Sequence, residues 1–249
     1  MEKLVYLVWA PRQLSGDRAA VRDLVVHRCA RRLLELGPAR MIVHADDPES
    51  ALRSPSPFGP REPPTVNGAL DLWLERPERR ASFEDEMRSC GLTVAGYQVE
   101  ESIYRDYGGN RHAGPRTWPD GQRSPGVGVV TLLERPPRLA YEEWLRRWHE
   151  VMSPVSEEIQ PRTRYVRNRV LRALTEGALP VDGIVVEMWP SPRHVTNPFL
   201  FFGARGPVSL VVNTARILRA VAGFLDLRRI RTTCVGEYFL KTGAAAGTS

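Results

Sequence analysis

The chain has 249 residues, 42% of them hydrophobic and 26% charged, with a formal charge of +6 and a pI near 9.6. This is ordinary globular composition, enough for two small domains or one duplicated one. It argues against a membrane span, because no apolar run approaches the roughly 20 residues a span needs. It also argues against a disulfide or zinc framework, because the three cysteines (Cys29, Cys90, Cys234) are odd in number and form no C-x-x-C pair.

In chain order, Lys3 to Trp9 reads as a buried strand stopped by Pro11. Asp17 to Leu36 reads as a helix, with Val21, Leu24, Val25, Cys29, Leu33 and Leu36 at three-and-four spacing and Gly37-Pro38 ending it. Arg40 to His44 is a second strand, and Glu49 to Thr65 a proline-rich loop. Val66 to Leu74 is a strand, Phe83 to Cys90 a short helix, and Leu92 to Ile103 a fourth strand, completing a βαββαβ order. Tyr104 to Gly126, rich in Gly, Pro, Arg and Asp, reads as a linker or a covering loop. The order then restarts: strand Val127 to Glu134, helix Tyr141 to Ile159, strands Arg164 to Leu171 and Asp182 to Trp189, helix Val208 to Leu227 and strand Thr232 to Leu240. The small, polar tail 243–249 is expected to be disordered.

The halves share short collinear matches. Glu35-Leu36-Gly37-Pro38 answers Glu158-Ile159-Gln160-Pro161, Val66-Asn67-Gly68 answers Val181-Asp182-Gly183, and Asp71-Leu72-Trp73 answers Glu187-Met188-Trp189. Together they suggest an internal duplication. The expected fold is α+β: an N-terminal ferredoxin-like half over 1–107, a linker over 108–126 and a second half over 127–242. Their antiparallel sheets then pack as an intrachain α+β barrel, a pseudo-dimer. A small ligand would sit between the sheets or between a sheet and its helices.

Strand alternation assigns faces. Leu70, Leu72 and Leu74 are expected to meet helices, leaving Asp71 and Trp73 inside. Likewise Ile184, Val186 and Met188 are expected to meet helices, leaving Glu187 and Trp189 inside. Asp71 and Glu187 then read as matched interior acids, either with a raised pKa suited to proton transfer or paired with arginines. In the helix Tyr141 to Ile159, Tyr141, Trp144, Leu145, Trp148, Met152, Val155 and Ile159 form the inward stripe. His149 lies at its edge, where it either shuttles protons near neutral pH or is a border residue. Tyr165, Arg167 and Arg169 share a strand face that either polarises a carbonyl or is merely polar. His194 falls in a loop or helix start. No histidine pair has metal-ligand spacing, so no metal is expected. There is no P-loop, nucleophile elbow or dinucleotide fingerprint.

The C-terminal half resembles the EthD family of dimeric α+β-barrel proteins. The resemblance is carried by Val129 to Arg135, by Tyr141-Glu142-Glu143-Trp144 through Trp148-His149 to Ser153-Pro154, by Arg164-Tyr165-Val166-Arg167-Asn168, and by Asp182-Gly183 through Glu187-Met188-Trp189. It spans 127–242. The family's helix histidine stands two residues before its proline; here that slot is Met152, with the histidine at 149 instead. The resemblance implies a cofactor-independent lyase or isomerase, with isomerase, cyclase or decarboxylase chemistry on hydrophobic carbonyl, aromatic or polyketide-like compounds, or a non-catalytic accessory of an oxidative or biosynthetic pathway. The expected catalytic groups are Glu187, His149, Tyr165 and Asp71, and the expected substrate-binding groups are Trp189, Trp73, Arg167, Met152 and Asp182. The expected setting is cytoplasmic, since Met1-Glu2-Lys3 lacks a signal-peptide layout. No membrane or nucleic-acid partner is expected, because the basic residues are interspersed with acids, and a homodimer of the pseudo-dimer is allowed.

Overall fold

The β-branched and apolar runs form eight strands: β1 (Glu2–Trp9), β2 (Arg40–Ala45), β3 (Gly68–Leu74), β4 (Thr93–Arg105), β5 (Val127–Leu133), β6 (Arg164–Ala173), β7 (Gly183–Trp189) and β8 (Arg231–Lys241). The structure is a computed structural model that describes residues 1–53 and 66–243. The strands close into an antiparallel barrel in the order β1-β3-β2-β8-β5-β7-β6-β4. Each half contributes its own four strands in the relative order fourth, first, third, second. The seams are β2 against β8 and β4 against β6. Closure satisfies the backbone groups that an open sheet would leave along its edges.

The helices lie outside the barrel. They are α1 (18–35), α2 (Arg80–Ser89), α3 (141–159), α4 (Arg193–Thr196), α5 (Pro198–Phe201) and α6 (Pro207–Phe224). Both α1 and α3 are interrupted by a wider π-helical stretch, Asp23–Cys29 in one and Arg147–Met152 in the other. In α3 the cause is Pro154, which has no N–H and crowds the carbonyl one turn back, so the preceding turn relaxes to a longer hydrogen-bond spacing. No proline interrupts α1, and nothing in the structure explains its wide turn.

The core has three layers. Leu4, Tyr6, Leu70 and Leu72 pack outward against Val25, Leu33, Phe83 and Met87. Val5, Leu7, Val166, Ile184, Val186 and Val235 fill the barrel interior. Val185 packs outward against Trp144 and Trp148 of α3. Fully burying each of these aliphatic side chains contributes about 1.5–3 kcal/mol. The face assigned to β3 therefore holds, but that of β7 is reversed. Ile184 and Val186 point into the barrel; Val185, Glu187 and Trp189 point toward the helices.

The segment read as a linker or a covering loop begins after β4 ends at Arg105 and folds across one end of the barrel, as a covering loop does. The Gly121 N–H donates to the Phe239 carbonyl (2.6 Å) and the Ser124 N–H to the Glu237 carbonyl (2.7 Å). Tyr107 packs edge-on against Trp118 and Phe239. The segment is a plug. The last six residues, expected to be disordered, and 54–65 of the proline-rich loop lie outside the described residues.

Candidate functional site

The polar residues singled out in the sequence separate into two places. The first is the plugged end of the barrel. Val5, Asp71 and Ile42 are cross-strand neighbours there, so Asp71 faces inward. Lys3 Nζ lies 2.7 Å from Asp71 Oδ2 and 2.7 Å from Glu101 Oε1, and His44 Nε2 lies 3.8 Å from Asp71 Oδ2. The Trp73 ring lies beneath Lys3 (4.5 Å) and Arg40 (4.4 Å). Beside it, Arg164 holds Glu237 (2.9 Å) and Asp106 (3.1 Å), and Glu237 also accepts from Tyr107 (2.8 Å) and Ser124 (3.0 Å). Burial alone pushes the Asp71 carboxyl up, but Lys3 and His44 together outweigh it, and the net shift is downward. A raised pKa, the property a neutral-pH proton donor needs, is therefore not what this acid has. Asp71 and Trp73 belong to a buried ion-pair cluster.

The second place is the helix layer of the C-terminal half. A cavity of about 480 Å³ lies between the outer faces of β5, β7 and β8 and the helices α3 to α6. Its origin is local. Pro190, Pro192, Pro198 and Pro207 break the β7-to-α6 connection into short turns, where the first half has only 75–79. Those turns seat Phe201 against Trp189, stacked at 4.6 Å and 17°. Met152 and Ile217 supply more of the apolar wall.

The polar wall is sparse: Glu187, Gln160 and four threonines, Thr131 among them. The Glu187 side chain is 18% exposed and is ion-paired with Arg162, itself only 1% exposed. Arg162 also donates to Ser156 Oγ (2.8 Å) and lies over the Tyr165 ring (3.9 Å). The side-chain amide of Gln160 makes no hydrogen bond among the described residues, so its donors are free toward a ligand.

The structure thus brings Glu187, Trp189 and Met152 together on one cavity and leaves the other expected residues off it. Tyr165 and Arg167 meet at Ser153, whose Oγ accepts from Arg167 (2.9 Å) and lies 3.3 Å from the Tyr165 hydroxyl. Arg167 also donates to Ser102 (2.7 Å). His149 packs edge-on against Trp148 (4.9 Å), and its Nε2 is buried without a hydrogen-bond partner among the described residues. Burial first, then Arg167 and Arg169, push its pKa to about 4. Near neutral pH it is an uncharged imidazole, which agrees better with the border reading than with the shuttle. Asp182 accepts the Arg135 N–H (2.7 Å) and shapes a turn. Its neighbour Gly183 leaves room for the Trp148 ring, which a Cβ there would meet at 2.8 Å. His194 sits on α4 with its Nδ1 2.9 Å from Ser191 Oγ.

Gln160, Arg162 and Phe201 were not singled out as site residues in the sequence. Phe201 was visible only as part of the apolar run Phe199-Leu200-Phe201-Phe202. Gln160 and Arg162 follow a helix end and carry no periodic signal. Among the described residues, no group of three His, Cys, Asp or Glu side chains is placed to hold a metal ion, and no helix is long and apolar enough to cross a membrane.

No protein-family model matches the sequence, and no curated protein matches it. Among solved structures, an anthrone oxidase-like protein is similar with a TM-score of 0.52 at 13% identity, the match covering 99% of this chain and 96% of that one. A chlorite dismutase variant from Candidatus Nitrospira defluvii is similar with a TM-score of 0.47 at 9% identity, covering 96% and 91%. At 13% identity the first of these likenesses is one of fold alone. The chain is an α+β-barrel protein whose eight strands all come from one polypeptide.

Proposed function

We propose that this protein binds a hydrophobic aromatic or carbonyl compound in the C-terminal helix-layer cavity and acts on it by proton transfer. The observation that supports this reading best is a cavity of about 480 Å³ whose described lining is largely apolar and holds one carboxylate, Glu187. In this reading Glu187 takes a proton from carbon beside the substrate carbonyl and returns it to another carbon. Gln160 and Thr131 donate hydrogen bonds to the oxygen as it gains charge. Arg162 holds Glu187 in place, and the stacked Trp189 and Phe201 orient a flat ring. Isomerisation or ring closure by this route balances without a cofactor.

We read the chain as an EthD-like member of the α+β barrels, with two ferredoxin-like halves in tandem at the boundaries given above and a cytoplasmic setting. Tyr165, whose ring lies under the Arg162 that holds Glu187, and Arg167, which meets it at Ser153, would act only as positioning residues. The second reading, a non-catalytic binder or pathway accessory, is favoured by one observation: the only acid among the described residues lining the cavity is already ion-paired.

The test is a thermal-shift screen with aromatic acids, lactones and phenols on the wild type, Glu187→Gln and Gln160→Leu. Stabilisation by several degrees that both substitutions reduce would support a ligand at this site, and turnover assays would then separate the two readings. Hits that neither substitution alters, or no hits at all, would remove the cavity as the ligand site.

A further inference from the structure

The helix α6 carries apolar side chains on both sides. Ile217 and Phe224 face the core, whereas Val208 is 78% exposed, Val211 69% and Val212 50%. At 100° per residue these valines, Ala215, Leu218 and Ala222 form one outward stripe along the helix. Leu218, also exposed, lines the mouth of the cavity described above. On the other flank a groove of about 380 Å³ separates α6 from α3. Arg146, Arg147, Arg216 and Arg219 line it, with the exposed Val151. Among the described residues Glu143 pairs with Arg146 and Arg147 and Glu158 with Arg216, Glu150 adds its charge near Arg146, and Arg219 has no partner.

We propose that this face docks on an anionic lipid surface. Charge is the first argument. The groove has an excess of cations beside an aliphatic stripe, the combination that holds an interfacial helix at anionic headgroups. A second copy of this chain would bring the same cations face to face. Size is the second argument. A stripe on an 18-residue helix is about 27 Å long and about 10 Å wide. That is far below the roughly 800 Å² per partner of a stable protein pair. A lipid surface needs no matching partner surface. The absence of a membrane span bears only on crossing, and docking requires none. The consequence is that Leu218 joins the lipid-facing stripe to the cavity mouth, a route by which an apolar compound could pass from one to the other.

The experiment is flotation of the full-length protein with vesicles of phosphatidylcholine alone and of phosphatidylcholine mixed with phosphatidylglycerol. Light scattering of the same samples gives the oligomeric state. The expected result is association with the mixed vesicles, weakened by salt. It should be lost when Val208, Val211 and Val212 are together changed to Ser, and about fivefold weaker in Arg219→Ser. Circular dichroism would check that the triple variant folds, and Arg219→Ser is an independent variant outside the core. The proposal is overturned if neither vesicle binds. It is equally overturned if the valine changes leave association intact, or if the protein is a dimer that these changes convert to monomer without any lipid association. None of these outcomes depends on what the cavity binds.

Discussion

Asp71 points into the barrel and Glu187 points out of it, although each stands near the middle of the third strand of its half. Gly183 follows Gly68 by 115 residues, but Glu187 follows Asp71 by 116. One residue of offset along a strand exchanges its two faces. The position matching Asp71 is Val186, a buried barrel side chain. The two acids therefore have different surroundings: Asp71 is locked between Lys3 and His44, and Glu187 is open to a cavity.

Asp71→Asn should cost about 3–5 kcal/mol, because it leaves the buried Lys3 short of one of its two acids. Glu187→Gln should cost less, since its surroundings are partly solvated and Arg162 keeps Ser156 as an acceptor. Urea unfolding of the two variants gives the order directly, and a larger loss for Glu187→Gln would refute it.

His149 supplies a pH dependence with a defined sign. Its pKa falls from about 6.5 unfolded to about 4 folded, so the unfolded chain binds more protons between those values. Stability should therefore rise with pH from about 4 to about 6.5 and gain nothing more from this group above that window. Asp71 acts below it: with its folded pKa depressed, its contribution is complete above the ordinary carboxylate range and is lost as pH falls through its folded value. Denaturant midpoints measured across this range for wild type and His149→Gln should diverge in slope between pH 4 and 6.5 and run parallel above.

Gly183→Ala should cost about 1–3 kcal/mol by forcing the Trp148 ring off its place, as overpacking of a filled core does. The near-ultraviolet circular dichroism of the tryptophans should change with it. An unchanged midpoint would mean that α3 yields freely.

The plug makes its own prediction. Tyr107→Phe removes one of the hydrogen bonds to the buried Glu237 carboxylate and should cost about 1.5–3 kcal/mol. Limited proteolysis within 108–123 should quicken before the rest of the barrel is cut. Uniform cleavage along the chain would show that the segment is not separately anchored.

Much of the architecture was legible from residue pattern. In β3, Leu70, Leu72 and Leu74 alternate with Asp71 and Trp73, and the leucine side does meet the helices. The strand β7 carries the same kind of pattern, Ile184, Val186 and Met188 against Val185, Glu187 and Trp189, yet there the acid side meets the helices. Both faces of this sheet are buried, so alternation loses its power to choose. A covering loop was one of the two readings of 104–126, but where it would be seated could not be read. Its anchors, Tyr107 to Glu237 and Ser124 to Glu237, join positions more than a hundred residues apart. Gln160 and Arg162 escaped because irregular segments carry no period; only folding brings them to the cavity wall.

The seams between β2 and β8 and between β4 and β6 join the two halves of a single chain. A barrel assembled from two identical subunits must repeat every hollow and every acid twice, because one gene writes both sides. A single polypeptide is released from that symmetry. Here one helix layer is packed with Val25, Leu33, Phe83 and Met87, while the other encloses a hollow beside Glu187. Mutation can therefore adjust the hollow side for a ligand while the filled side carries the stability of the whole.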